Sequence, residues 1–248
     1  MYCGSPITTG ELFVLGLNCK TNAKEIKAQV GVVPQDDGLD PDFSVLDNLV
    51  VFARYQNIPS KKARLKAKDL LRQMNLEEYE DRSVNQLSGG MKKRVGIARA
   101  IALDIKYLFC DEPNSGLDPI TSRLIDDLLL EITEEYNITT VINSHDMKTV
   151  FDIGYNIIFI YQGKVCWNGN NKELKPIEID TRDEFFHHFN VRFGHILFVI
   201  SVHHNLGHLH HVGAAGGEAH LFAGLAEAFI VQHKNGEIGG GRRGDCRE

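Results

Sequence analysis

The sequence predicts an α/β fold in which a mainly parallel sheet is covered by helices on both faces. Apolar, β-branched stretches typical of buried strands alternate with stretches whose apolar residues recur at helical spacing. Two of the apolar stretches end abruptly in polar residues, as strands do where they carry side chains to a site at the edge of a sheet. Together these observations predict parallel strands joined by helical connections.

The first third of the chain predicts two strands and a helix. The strands cover residues 11–16 and 30–34, and the second strand runs into the polar cluster QDDG. Ser60 occupies the position expected of a helix N-cap, because apolar residues recur behind it at helical spacing as far as Met74. We therefore expect a basic amphipathic helix there.

The middle of the chain predicts a continuing alternation of helices and strands. We expect a helix at 91–103, a strand at 107–110, a helix at 122–136, a strand at 139–142, and a hairpin of 157–161 with 164–167 that turns at Gln162-Gly163.

Composition excludes several classes of protein. The 248 residues are 43% hydrophobic, which is enough for one large domain or two small ones. A net charge of −6 gives no electrostatic case for a nucleic-acid partner, so we expect none. Five scattered cysteines predict neither a zinc site nor a disulfide framework. The longest apolar run, 196–202, is far shorter than the roughly 20 residues that cross a bilayer.

The strongest chemical signal is a buried strand that ends in Asp111 and Glu112. Adjacent carboxylates at a strand end suit phosphoryl transfer, since one can hold Mg²⁺ and the other can orient a water. Alone the pair is weak evidence, because two solvated loop acids give the same pattern.

Other polar residues strengthen that interpretation. Ser88, Gly89 and Gly90 open a helix, where free N–H groups suit a phosphate. Gln35 follows a strand directly, where its amide can reach a metal or a water, and His145 follows the next strand after the carboxylates, where it can donate to a terminal phosphate. Asp118 lies just past the carboxylates in SGLD.

Four motifs carry a resemblance to a known family. Leu87–Met91, Asp111–Pro113, Ser115–Asp118 and Ser144–Asp146 resemble the signature, Walker B, D-loop and H-loop of ABC-type ATPases, in order and in spacing. The resemblance runs from about Gly10 to Gly169. It implies a partial RecA-like P-loop NTPase core with a small helical subdomain at about 45–95.

The resemblance also implies roles, cofactors and partners. ATP and Mg²⁺ are the implied cofactors: Asp111 would bind Mg²⁺, Glu112 would be the general base, Gln35 would lie at the metal and signal to a membrane partner, and His145 would contact the γ-phosphate. Ser88, Gly89 and Gly90 would close over ATP held by a second ATPase subunit, and Asp118 in the D-loop would be a further nucleotide-binding residue. Transmembrane permease subunits complete such an assembly, which places the chain peripherally on the cytoplasmic face of the inner membrane.

One motif of the family is missing from the sequence. No stretch matches the Walker A pattern GxxxxGK[ST], and the nearest candidate, Cys19-Lys20-Thr21, lacks its glycines. The family places Gly10-Glu11 shortly after the Walker A helix, so we expect that the chain begins about one strand, one loop and one helix late. We also expect little ATP hydrolysis by this polypeptide alone, because the missing loop supplies most triphosphate contacts.

The C-terminal part has a different composition. Ten of the eleven histidines lie between His187 and His233. We therefore divide the chain into an ATPase domain at 1–175 and a His- and Gly-rich extension at 176–248. A metal-binding tract, an appended regulatory segment, a disordered tail and a non-native reading frame are the alternatives for the extension.

The resemblance points to an ATP-binding and ATP-hydrolysing subunit of a transporter. Residues 30–55 resemble exporters of drugs, polysaccharides and nodulation factors, whereas DEPNSGLDPITS, NSHDM and GKVCWNGN resemble Mla-type phospholipid-trafficking ATPases. The expected substrate is a lipid or another hydrophobic molecule. One alternative is a non-hydrolysing remnant that pairs with an intact subunit. A DNA-repair ATPase is disfavoured, because no heptads separate Gln35 from Ser88.

Overall fold

The computed structural model describes residues 13–55, 57–161, 164–170 and 196–201. The helices are α1 (Ala23–Gln29), α2 (Val45–Tyr55), α3 (Ser60–Gln73), α4 (Gly89–Ile101), α5 (Pro119–Glu135) and α6 (Met147–Ile153). The strands are β1 (Phe13–Val14), β2 (Leu17–Asn18), β3 (Val30–Val33), β4 (Tyr107–Asp111), β5 (Thr139–Ser144), β6 (Asn156–Tyr161), β7 (Lys164–Asn170) and β8 (Ile196–Ser201). Short 3₁₀ turns cover Glu77–Tyr79 and Val84–Gln86.

The chain forms two compact units. One comprises Lys27–Thr140, which we call the central unit. The other joins Met1–Ile26 to Val141–Glu248, and we call it the terminal unit.

The central unit contains a parallel pair of strands. β3 pairs with β4 in a register that runs from Val30 opposite Tyr107 to Val33 opposite Cys110. Parallel strands are covered on their faces, and Val33, Leu108 and Cys110 are all buried. Both strands therefore end at the same edge, just before Gln35 and at Asp111.

Three helices of the central unit pack on one another: α2, α3 and α4. Asn48 in α2 fixes the loop before it, since its Oδ1 accepts from the Asp40 N–H at 2.8 Å and its Nδ2 donates to the Ser44 carbonyl at 3.0 Å. Arg94 in α4 donates to the Met74 carbonyl at the end of α3, at 2.9 Å. This packing agrees with the helical subdomain predicted at about 45–95, whose boundaries stay a prediction.

The terminal unit contains antiparallel pairings. β6 pairs with β7 on one side and with β8 on the other, and β8 also pairs with β5 through Val141–Ser144. β8 therefore lies between β5 and β6. Because it is antiparallel to both, those two strands run in the same direction.

The α/β fold class is confirmed, and two details of the prediction are wrong. Ser60 is the first residue of α3 and Pro59 is its N-cap, with no side-chain capping hydrogen bond. Pro59 has a φ of −56° and a ψ of 137°, outside the helical region, so the helical conformation begins only at Ser60. The strand predicted at 11–16 is instead the hairpin of β1 and β2, which turns where Leu15 and Gly16 take positive φ.

Some predictions lie outside the described residues. These are the turn at Gln162-Gly163, the start of the strand at 11–12, and the C-terminal extension apart from β8. The histidines of the candidate metal-binding tract are among them. Among the helices that are described, none has the length and apolar character needed to cross a membrane.

Candidate functional site

The two candidate acidic residues lie where β4 leaves the sheet. β4 ends at Asp111, directly after Cys110, a fully buried residue whose thiol pKa is raised by burial. Glu112 has a φ of +47°, in the left-handed region that side-chain-bearing residues rarely adopt. A residue in this strained conformation persists only where its surroundings hold it, and such residues cluster at functional sites. The Glu112 carbonyl accepts from the Ser115 N–H at 3.0 Å, which closes the turn.

Gln35 reaches this turn through its side chain. Its Nε2 donates to Ser115 Oγ at 3.3 Å. The segment after β3 and the turn after β4 are therefore joined directly, as expected for the ends of neighbouring parallel strands. Gln35 and the segment containing Asp111 and Glu112 form one cluster in the central unit.

The candidate phosphate-binding residues form the start of α4. Ser88 is the N-cap, and its Oγ accepts from the Met91 N–H at 3.3 Å. Its carbonyl accepts from the Lys92 N–H at 2.9 Å, so the helix begins in regular geometry. Ser88 and Gly89 are exposed. The amide groups of the first helical turn, at Gly89 and Gly90, have no intrahelical partner and are the groups that an anion binds.

The two glycines also contact the start of the next helix. A Cβ on Gly89 would lie 3.3 Å from Leu117 Cδ2, whereas one on Gly90 would lie only 2.4 Å from Thr121 Cγ2. Gly90 is also buried. Close packing against α5 is thus a reason for glycine at position 90 that does not depend on a phosphate.

Asp118 caps α5. Its Oδ1 accepts from the N–H groups of Ile120 at 3.1 Å and Thr121 at 3.0 Å, and its Oδ2 accepts from the Thr121 hydroxyl. The hydrogen bond from the Thr121 side chain is the largest cause that lowers the pKa of Asp118, which therefore stays ionised at neutral pH. A carboxylate is well placed at a helix N-terminus.

His145 belongs to the terminal unit, where it is exposed directly after β5. Asp146 next to it caps α6 by accepting from the Lys148 N–H at 2.9 Å. The Asp146 N–H donates in turn to Ser144 Oγ at 3.0 Å. His145 is therefore fixed between a strand end and a capped helix, and its contact with a γ-phosphate stays a prediction.

The structure brings the candidate residues of the central unit into two groups. Gln35, Asp111 and Glu112 share the edge of the β3–β4 pair, joined by the bond from Gln35 to Ser115. The Ser88-Gly89-Gly90 start of α4 packs beside the α5 cap at Asp118, through Leu117 and Thr121. The chemical role of each residue stays a prediction.

The oxygen donors at the strand edge suit Mg²⁺. A carboxylate from Asp111 and an amide oxygen from Gln35 are hard ligands of the kind this ion takes. No cluster of three or more His, Cys, Asp or Glu side chains placed for a metal occurs in the described part of the chain. Mg²⁺ at phosphoryl-transfer sites uses only one or two carboxylates and completes its shell with phosphate oxygens and waters. The donors that this chain supplies therefore fit the ion in the presence of a nucleotide.

Sequence reasoning missed Ser115, Lys93 and Arg99. Ser115 stands out in the sequence only as part of the SGLD motif, although it is the partner of Gln35. Lys93 is 5% exposed, on the buried face of α4 between Gly90 and Ile97. A lysine at helical spacing among apolar positions is the signal that could have identified it, because lysine is almost never buried without a partner.

Comparison with known proteins gives a consistent result. The family profile described as ABC transporter matches residues 3–115. A Nod factor export ATP-binding protein I of Burkholderia pseudomallei is 36% identical over 170 residues, which are 68% of this chain and 56% of that protein. The chain thus spans little more than half the length of that relative. The phosphonates import ATP-binding protein PhnC 2 of Haloarcula marismortui is 32% identical over 74% of this chain and 69% of its own length.

Solved structures agree with the sequence comparisons. The cbiO1 protein of Clostridium perfringens, described as part of the ABC transporter complex cbiONQ, superposes with a TM-score of 0.63 and 27% identity, over 77% of this chain and 76% of that one. The ATP-binding cassette MJ0796, in a dimeric post-hydrolysis state bound to ADP and Pi, gives 0.61 and 27%, over 68% and 77%. This chain belongs to the family of ABC transporter ATP-binding proteins.

Proposed function

We propose that this chain is the ATP-binding subunit of an ABC transporter and that the start of α4 closes on nucleotide held by a second ATPase subunit. The proposal rests on the start of α4, a regular 13-residue helix that Ser88 caps. Ser88 and Gly89 are exposed at this helix start. A helix start of this kind presents N–H groups and a partial positive charge to an anion. The dimeric state described for MJ0796 supports a second ATPase subunit as the partner.

The strand edge would carry the hydrolytic chemistry. In this proposal Asp111 and Gln35 hold Mg²⁺, which neutralises charge on the phosphates. Glu112 orients and deprotonates the attacking water, and His145 donates to the γ-phosphate. The bond from Gln35 to Ser115 supports this arrangement, because it holds the Gln35 side chain in place before substrate binds, and the positive φ of Glu112 is backbone strain of the kind that clusters at active sites.

In such an assembly, the membrane subunits determine which substrate is transported. Relatives named for Nod factor export and for phosphonates import both resemble this chain. We propose transport of a lipid or another hydrophobic molecule, on the motifs that resemble exporters and phospholipid-trafficking ATPases. The chain would act peripherally, bound to permease subunits at the cytoplasmic face of the membrane, as the description of cbiO1 in a transporter complex supports.

Heterodimer formation tests the proposal. The chain is mixed with an intact cassette of the family that carries its own Walker A loop and cannot hydrolyse ATP, and the mass is measured by light scattering after size exclusion. We expect a heterodimer that requires ATP. Gly89→Asp should weaken it about tenfold or more, because a carboxylate would face the γ-phosphate. The fold should tolerate this change, since acidic residues are favourable in the first turn of a helix.

Asn85→Asp is the matched control, because it adds the same charge at an exposed position before the helix. The proposal is wrong if no heterodimer forms with ATP, or if Gly89→Asp and Asn85→Asp behave alike. A non-hydrolysing subunit that pairs with an intact cassette is the alternative candidate. That candidate predicts the same heterodimer with no phosphate release that depends on Glu112, whereas a hydrolysing subunit loses its turnover in Glu112→Gln.

A further inference from the structure

Lys93 in α4 turns inward toward the loop that follows β3. Its side chain is 6% exposed, and its Nζ donates to the backbone carbonyl of Gln35. The same Nζ lies 3.8 Å from Asp37 Oδ1, a buried oxygen that no hydrogen bond reaches within the described residues. Burying an ammonium group is unfavourable unless it is paired and hydrogen-bonded. The Lys93 ammonium group therefore interacts with this loop and not with solvent.

Arg99 reaches the same loop from two turns further along α4. Its Nη1 donates to the Gly38 carbonyl at 2.6 Å and its Nη2 to the Asp37 carbonyl at 3.1 Å. The guanidinium also lies over the Phe52 ring, 5.5 Å from its centroid. Burial lowers the pKa of Arg99 and the charge of Asp37 opposes that shift, but a guanidinium remains charged in proteins.

The loop lies close to the backbone of α4 between these two side chains. A Cβ placed on Gly96 would be 4.0 Å from the Asp37 carbonyl oxygen. Three backbone carbonyls of the loop, at positions 35, 37 and 38, accept hydrogen bonds from α4 side chains. Charge-assisted bonds of this kind are roughly twice as strong as neutral ones.

We propose that Lys93 and Arg99 are positioning residues that fasten the Gln35–Gly38 loop to α4. The loop and the helix that begins at Ser88 then move as one body, and the Gln35 side chain is held toward Ser115. A displacement of the helix start, where the second subunit's nucleotide would bind, is thereby transmitted to Gln35. The purpose of this link rests on the proposed function, whereas the link itself can be tested without nucleotide.

The test follows the Gln35 side chain by NMR in the full chain without ATP. Glutamine-selective ¹⁵N labelling gives few side-chain signals, and Gln35→Glu identifies the pair that belongs to Gln35. In Lys93→Met and Arg99→Met we expect this pair to shift toward the value of free glutamine. Amide exchange at residues 35–38 should rise about tenfold. Lys93→Met retains an unbranched side chain that is one atom shorter and removes its charge and donors.

Lys92→Met is the matched control, since it removes the same charge from the neighbouring position of α4. A thermal melt of each variant separates local release of the loop from global unfolding. The proposal is overturned if folded Arg99→Met leaves the Gln35 pair unchanged, or if Lys92→Met moves it equally. Should Lys93→Met fail to fold, Arg99→Met decides alone, because Arg99 is only partly buried. These readings are independent of heterodimer formation, so the two proposals can fail separately.

Discussion

The two glycines that open α4 differ in their surroundings. Gly89 is exposed, and the atom nearest to its missing Cβ is the flexible end of Leu117 at 3.3 Å. Gly90 is buried against Thr121 Cγ2 at 2.4 Å. Thr121 cannot turn this methyl away freely, because its hydroxyl is bonded to Asp118. A methyl group is thus tolerated at the first glycine and excluded at the second.

Gly90→Ala should therefore lower the free energy of unfolding by about 1–2 kcal/mol, because the overpacking outweighs the gain in helix propensity. Gly89→Ala should change it by less than about 0.5 kcal/mol. Urea denaturation followed by circular dichroism measures both. The double variant Gly90→Ala with Thr121→Ser should recover most of the loss, since serine lacks the clashing methyl and retains the hydroxyl. A double variant no more stable than Gly90→Ala would contradict this explanation.

The sequence predicts residue chemistry better than residue contacts. Ser88 with its glycines, the acidic pair and Gln35 could all be chosen from residue type and position along the chain. Thr121 against Gly90 and Ser115 beside Gln35 could not, because each pair joins segments that only the tertiary fold brings together. The positive φ of Glu112 could not be predicted from the sequence either, since glutamate has no preference for that conformation.

The packing of α4 against β3 depends on another glycine. A Cβ on Gly31 would lie 2.8 Å from the Ala100 carbonyl oxygen and 2.7 Å from Ile105 Cδ1. The carbonyl belongs to the backbone of α4 and cannot rotate away. Gly31 therefore sets how closely the helix approaches the strand, and so where Lys93 and Arg99 stand relative to the loop after β3.

Gly31→Ala should destabilise the chain by about 2–3 kcal/mol, because the added methyl forces the strand and the helix apart. Gly96→Ala is the matched control on the same helix, where the nearest atom would be 4.0 Å away. Gly96→Ala should be neutral or should stabilise by up to about 1 kcal/mol, since alanine is the better helix former. Thermal melts of the two variants compare them directly. Equal melting temperatures would show that the close approach is not rigid.

Element boundaries follow from local signals where these are strong. The helix predicted at 91–103 is α4, Gly89–Ile101, and its start is the Ser88 cap. The helix predicted at 122–136 begins earlier, at Pro119, because Asp118 caps it. Capping needs only neighbouring residues, whereas the hairpin of β1 and β2 depends on a turn at Leu15 and Gly16 that an apolar run conceals.

At the scale of the whole molecule, β8 is the element that local patterns could not place. It comes from the segment set aside as a separate extension, yet it pairs with β5 and β6. Strand pairing between distant segments has no local sequence signal beyond an apolar run. Residues 196–201 met that criterion, but nothing in the sequence indicated which strands they would join.

This placement makes a testable claim about the terminal unit. Val199 pairs with Asn143 on β5 and with Ile158 on β6, so its strand has a neighbour on each side. Each backbone N–H group of the strand therefore faces a strand that can accept its hydrogen bond. Val199→Pro removes one N–H and should cost about 3 kcal/mol or more, because proline is not accepted in a central strand. Val199→Thr is the control, since it retains the N–H and a β-branched side chain. Hydrogen exchange at the amides of β5 and β6 should accelerate in the proline variant alone. If Val199→Pro leaves that exchange unchanged, β8 is not part of the sheet in solution.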